Sequence, residues 1–88
     1  MYAIVIEHKD ITGEYDITPI KYLPYKKTFK DANETAWDLA RKAYEAGFTQ
    51  YEKDTIDNRK ASFWRMHDGT SWYFITILKH IEYKNDWA

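Results

Sequence analysis

The chain has 88 residues, a formal net charge of −1 and no cysteine. That length supports one small domain. The missing cysteines exclude disulfides and thiolate metal sites, and the near-neutral charge excludes a binder that works through a strong overall field. Aromatic residues make up 18% of the chain, with Tyr 8 and Trp 4. Rings bury much area per residue, which suits a small core, but this many exceed what one such core needs, so some are expected on a surface. No run approaches the roughly 20 apolar residues of a membrane span. The opening Met1 to His8 is too short for a signal h-region and lacks a basic start. The expectation is a cytoplasmic chain with no membrane contact, a single domain over 1–88.

Tyr2 to His8 reads as a first strand. Tyr2, Ile4 and Ile6 alternate with Ala3, Val5 and Glu7, and apolar groups on both faces predict an interior place in a sheet. Lys9 to Glu14 is a turn with Gly13 at its positive-φ position. Tyr15 to Tyr22 is a possible second strand. Pro19 removes a ladder donor and confines it to an edge or an irregular arm, which Pro24 closes.

Asp31 to Ala46 has helical periodicity: Ala32, Ala36, Leu39, Ala40 and Ala43 form one stripe, flanked by Trp37 and Tyr44. Asp31 followed by Glu34 predicts a capping-box start at Asp31, and Gly47 predicts the stop. Asp38 with Lys42 and Arg41 with Glu45 are i,i+4 pairs on the outer face. Phe48 to Ile56 reads as a third strand, with a turn at Asp57-Asn58.

The stretch Ala61 to Tyr83 reads as a hairpin turning at Asp68-Gly69, a strong short-range hairpin signal. It carries Trp64 and Trp72 and should form the centre of the core. On the long last strand, Ser71 to Tyr83, one face holds Tyr73, Ile75, Ile77, Ile81 and Tyr83, and the other Trp72, Phe74 and Leu78. A two-residue loop would set Trp64 opposite Tyr73 and Arg65 opposite Trp72; a three-residue loop would set Trp64 opposite Trp72. The two-residue loop is the expectation. The whole is an α+β fold with one helix packed on an antiparallel sheet of four to five strands, in the order β-(β)-α-β-β-β. A single helix covers one sheet face; the other is left to the Tyr15–Tyr25 arm, to a partner, or to solvent.

Catalytic patterns find little support. Glu82-Tyr83-Lys84 after Asp68 resembles the acidic residue and E-x-K of restriction-type PD-(D/E)xK nucleases, whose carboxylates hold Mg²⁺. On a straight strand, however, Asp68 and Glu82 stand about 45 Å apart, too far to share an ion. His8, His67 and His80 have no metal-ligand spacing. Three scattered Gly build no phosphate loop, and neither Ser62 nor Ser71 has a nucleophile-elbow context. The expectation is no enzyme, no cofactor and no metal.

Binding is the better reading. Lys21 to Lys30 interleaves four lysines with Tyr22, Tyr25 and Phe29, a pattern that can serve phosphates and stacked bases. Its ordinary alternative is rings that pack and lysines that solvate a loop. Trp64, Arg65, Met66 and Trp72 are of the types enriched at protein interfaces. The candidate binding residues are therefore Tyr22, Tyr25, Lys26, Lys27, Trp64, Arg65, Met66 and Trp72. Small, cysteine-free, tyrosine-rich α+β proteins without an active site are common among phage and mobile-element accessory proteins, including inhibitors of host defence. The expected function is non-catalytic binding to a protein, as an inhibitor or regulator, with a homodimer as one form of partner and nucleic-acid binding through the Lys/Tyr arm as the alternative.

Overall fold

A computed structural model describes residues 1–56 and 61–79. It has one helix packed on a five-stranded antiparallel sheet, in the chain order β1 (Tyr2–Asp10), β2 (Lys21–Tyr22), α1 (Phe29–Glu45), β3 (Gln50–Ile56), β4 (Ala61–His67) and β5 (Ser71–Lys79). Across the sheet the order is β2-β1-β5-β4-β3. The α+β architecture is therefore the one expected. The Asp57-Asn58 turn, His80, the Glu82 to Lys84 segment and Trp87 lie outside the described residues. Among the described residues no helix is long and apolar enough to cross a membrane.

The sheet is built around the β1–β5 pair, whose register runs unbroken from Tyr2↔Lys79 to Asp10↔Ser71. Period-2 alternation then sorts each strand. Ile4, Ile6, Ile75, Ile77, Trp64 and Met66 point to one side and are buried. The helix covers that side with Ala32, Ala36, Ala40 and Ala43, all buried. Alanine at these four positions lets the helix backbone lie close to the isoleucines of the sheet. Tyr2, Leu23, Phe29, Leu39, Phe48 and Tyr73 close the margins of this core.

Several boundaries differ from the sequence expectation. The helix starts at Phe29, two residues before Asp31. Thr28 is the N-cap: its Oγ1 accepts from Asp31 N at 3.1 Å. Asp31 thus sits inside the first turn, where its charge meets the positive end of the helix dipole. The edge-to-face contact of Phe29 with Tyr2, 5.6 Å between centroids, holds the extra turn against the sheet. The C-terminus ends as expected. Gly47 has φ 112, with Gly47 N–H donating to Tyr44 O and Phe48 N–H to Ala43 O, a Schellman cap. This cap consumes Phe48, so β3 begins at Gln50. On the outer face Asp38 pairs with Arg41 at 3.0 Å, in place of Lys42.

The arm before the helix follows the edge of β1 and does not cross the sheet. Ile17 N–H donates to His8 O, Tyr22 pairs with Val5, Leu23 N–H donates to Ile4 O, and Lys26 bridges to Tyr2. Only Lys21–Tyr22 forms regular strand, as Pro19 and Pro24 dictate.

The hairpin register is corrected. Trp64 faces Ile75, Arg65 faces Phe74, Met66 faces Tyr73 and His67 faces Trp72. The loop is therefore four residues, Asp68 to Ser71, and neither shorter loop forms. Asp68 is the reason. Its Oδ1 accepts from Thr70 N at 2.8 Å, Thr70 Oγ1 at 2.8 Å and Ser71 N at 2.9 Å, an Asx turn that keeps Thr70 and Ser71 out of the β4 ladder. Gly69, at φ 91, completes the turn. These three donors hold the Asp68 carboxyl down to a pKa of about 2, the Thr70 amide contributing most.

Candidate protein-binding surface

The helix leaves two surfaces of the sheet open, one on each side. On its own side it lies over β5, β1 and β4, and stops short of the edge strand β3. Side chains bridge the gap. Trp37 on the helix meets Trp64 edge-to-face at 5.6 Å, and two turns further Tyr44 meets Tyr51 at 6.3 Å. Between these ring pairs runs a cleft of about 400 Å³, bounded by Trp37, Asp38, Ala40, Arg41, Tyr44, Tyr51, Trp64 and Met66. Lys53 places its ammonium 5.2 Å from the Trp64 ring and 5.8 Å from the Trp37 ring. Trp64 Nε1 is buried there without a hydrogen-bond partner.

The far side of the sheet has no helix. Directly opposed residues of neighbouring antiparallel strands share a face, so the registers sort the far face into rows. One row is Tyr22, Val5, Thr76 and Phe63; the next is Glu7, Phe74, Arg65 and Glu52; the third is Lys9, Trp72, His67 and Gln50. Leu78 stands beside Ala3 at the other end. Among the described residues nothing covers the centre of this face. Leu78 is 46% exposed and Tyr22 70%. Val5, Phe63, Trp72 and Phe74 are only half-buried.

Ring contacts link the side chains of this face. Trp72 stacks on Phe74 at 5.8 Å with an interplanar angle of 13°, and His67 lies 4.6 Å from Trp72. The Arg65 guanidinium sits 5.4 Å from the Phe63 ring and 2.6 Å from Glu52. Lys9 holds Glu7 at 3.4 Å and Asp16 at 3.0 Å. The Asp16 contact is the main reason the Lys9 pKa lies above its ordinary value. The turn after β1 closes one end of the face, where Trp72 Nε1 donates to Ile11 O at 3.0 Å. Between Trp72 and the edge strand lies a hollow of about 290 Å³, lined by Gln50, Tyr51, Glu52, Arg65, His67 and Trp72.

The structure divides the eight candidate residues. Arg65 and Trp72 stand on the uncovered face, and Tyr22 joins them from β2. Trp64 and Met66, each 1% exposed, point the other way, into the core and the floor of the helix-side cleft. The four hairpin candidates therefore do not share one surface. Adjacent residues on a strand point to opposite faces, and Trp64 and Arg65 are adjacent. Tyr25 and Lys27 are exposed on the arm, while the bridge to Tyr2 ties Lys26 to the β1 edge. Leu23 and Phe29, from the same segment, anchor it to the core.

Sequence reasoning missed Val5, Glu7, Phe63 and Phe74 as surface residues. The signal was present: Phe74 and Leu78 lie at even spacing from Trp72 and must share its face. Among the described residues no cluster of three His, Cys, Asp or Glu has the arrangement of a metal site. Asp68 is engaged by its own loop. His8 lies on the helix side against Phe48 at 5.7 Å, with Nε2 3.0 Å from Ser71 Oγ, while His67 belongs to the far face. Comparison with protein-family models, with curated proteins and with solved structures yields no match for this chain.

Proposed function

We propose that this chain is a non-catalytic protein-binding domain that works through the uncovered face of its sheet. The observation that carries the reading is the content of the β5 rows: Phe74 and Leu78 project from the central strand beside Trp72, flanked by Val5 and Phe63, and beyond the Ile11 turn at the Trp72 end no layer covers them among the described residues. Exposed patches of this kind mark interaction sites. Its make-up also fits an interface core, with aromatic and Arg anchors inside a rim of paired charges. A domain that binds without chemistry acts by occupying its partner, which supports the role of inhibitor or regulator, of the kind phage and mobile-element accessory proteins supply.

The nucleic-acid reading is less well supported. Glu7 and Glu52 put carboxylates among the rings of the face, and the exposed lysines of the arm stand apart from it along the β1 edge. A phosphate backbone would meet both signs of charge there.

The test is capture on the immobilised chain. A protein retained by the wild type and by Tyr44→Ala, but released by Leu78→Lys and Phe74→Lys, supports the reading. Equal retention by all four removes it. Retention of the chain on single-stranded DNA at low salt, falling steeply as salt rises, would put the nucleic-acid reading in its place.

A further inference from the structure

We infer that the uncovered face takes a second copy of this chain, in a face-to-face dimer whose two-fold axis runs along β5. The inference rests on the reading of that face as a protein-binding surface, and it comes from the registers. β5 has β1 on one side and β4 on the other, and both pair with the same β5 residues. A two-fold axis along β5, in the plane between two such sheets, leaves each row in place and exchanges its left and right ends. The β1 end of a row in one copy then meets the β4 end of the same row in the other.

The consequences can be read row by row. Glu7 and Arg65 flank Phe74, so Glu7 of each copy faces Arg65 of the other, twice in the dimer. Val5 and Phe63 flank Thr76, so the two apolar side chains face each other, also twice. Phe74, Thr76 and Leu78 lie on the axis and meet their own counterparts. Opposite charges thus fall opposite one another, and apolar groups opposite apolar groups. The other in-plane two-fold, perpendicular to the strands and centred on the Thr76 row, sets β1 over β1. It would place Glu7 on Ala3 of the second copy, where the carboxylate loses water and gains no cation from that copy, leaving its own Lys9 as the only offset, which is costly. The face therefore chooses between the two arrangements, and two twisted sheets packed nearly aligned are an ordinary arrangement of protein layers.

Arg65 can serve both carboxylates. It is half-exposed, already holds Glu52, and has five N–H donors.

Size sets the strength. The turn at Ile11 closes the Trp72 end, leaving the Phe74, Thr76 and Leu78 rows. At about 6.6 Å between like-facing residues and about 4.8 Å between strands, three rows across five strands span roughly 500 Å² per copy, or about 1,000 Å² in all. That lies at the lower limit of specific interfaces and predicts a weak, reversible dimer.

Sedimentation of the full chain from about 1 μM to about 1 mM tests this, a range bracketing weak affinities. The expected result is passage from the 10.6 kDa monomer to twice that mass. Glu7→Arg and Arg65→Glu should each raise the dissociation constant on the order of tenfold, because each substitution sets two like-charge pairs face to face. The double exchange, Glu7→Arg with Arg65→Glu, should restore it. Thr76→Lys, which brings two ammonium groups together on the axis, should abolish the dimer, and circular dichroism would show that each variant is folded. A monomer at every concentration overturns the inference, as does a dimer insensitive to these substitutions or one the double exchange fails to restore. If the chain stays monomeric while Leu78→Lys still abolishes capture of another protein, the dimer falls and the protein-binding reading stands. If Leu78→Lys changes neither mass nor capture, both fall.

Discussion

The two faces of this sheet are made from the same strands with similar residues, yet they have opposite fates. On the helix side Ile4, Ile75 and Ile77 are 0% exposed, sealed by the alanines of α1. On the far side Val5, Phe74 and Leu78 occupy the alternate positions of the same strands and keep part of their area in water. The lesson is that hydrophobic content does not decide burial; a covering layer does. One helix of this length covers one face, so the large apolar groups sent to the other face by period-2 alternation keep part of their area exposed among the described residues.

The largest expected effect tests this asymmetry directly. Ile77→Ala should lower stability by about 2–4 kcal/mol, because it removes fully enclosed methyl groups and leaves a cavity under the helix. Phe74→Ala should cost about 1 kcal/mol or less in dilute solution, since the ring is already partly hydrated and no cavity forms. Urea unfolding of the two variants measures the difference. Equal losses would mean that the far face is as well covered as the near one, and the comparison would collapse.

A smaller effect concerns the layer that makes the difference. Thr28→Ala should lower stability by about 1 kcal/mol by leaving the Asp31 amide without its acceptor. Thr28→Ser should recover most of that loss. Thermal unfolding of both variants tests whether α1 is capped at Thr28, the feature that sets its first turn against Tyr2.

Next comes a pH dependence in the loop that joins β4 and β5. Asp68 has a folded pKa of about 2, below its value of 3.8 when unconstrained. A lowered carboxyl pKa means that the charged form favours the folded state. Its contribution is therefore present in full above about pH 4 and is lost as pH falls toward 2. A carboxyl-resolved NMR titration should find Asp68 near the low end of that window. Asp68→Asn, which keeps the accepting oxygen, should flatten the acid limb of the stability curve while leaving the β4–β5 register intact. A titration at the ordinary aspartate value would mean that the Asx turn does not form in solution.

The smallest effect belongs to the far face. Glu52→Gln should change stability by less than about 1 kcal/mol and lose that difference in high salt, because its pair with Arg65 is exposed. Thermal unfolding at low and high salt measures it. A large, salt-insensitive loss would show that Arg65 and Glu52 are shielded from water, and so that this side of the sheet is covered after all.

Local chemistry was legible wherever a residue acts through its immediate neighbours. The Ala32, Ala36, Ala40 and Ala43 stripe marked the helix and its buried side, Gly47 its end, and Pro19 and Pro24 the irregular arm. The β1 and β5 alternations sorted Ile4 from Val5 and Ile75 from Phe74. The helix start was misplaced because both Thr28 and Asp31 are good caps. The choice fell to Phe29, whose contact with Tyr2 is a tertiary one. The hairpin register was misplaced because Asp68-Gly69 fits a two-residue turn, and only the acceptors and donors actually engaged, Asp68 Oδ1 with Thr70 and Ser71, lengthen it to four.

The candidate site divided along the same line. That Trp72, Phe74 and Leu78 share a face follows from strand period alone, as does the separation of Arg65 from Trp64. The sequence by itself thus determined the set of elements and the two faces of each strand, because both come from spacings of a few residues along one chain. Only the tertiary structure decided which face α1 covers, and that β5 lies between β1 and β4. Glu7 and Arg65 flank Phe74 because of that strand order and register, which set residues distant in the chain on either side of one ring and are fixed by where the core closes.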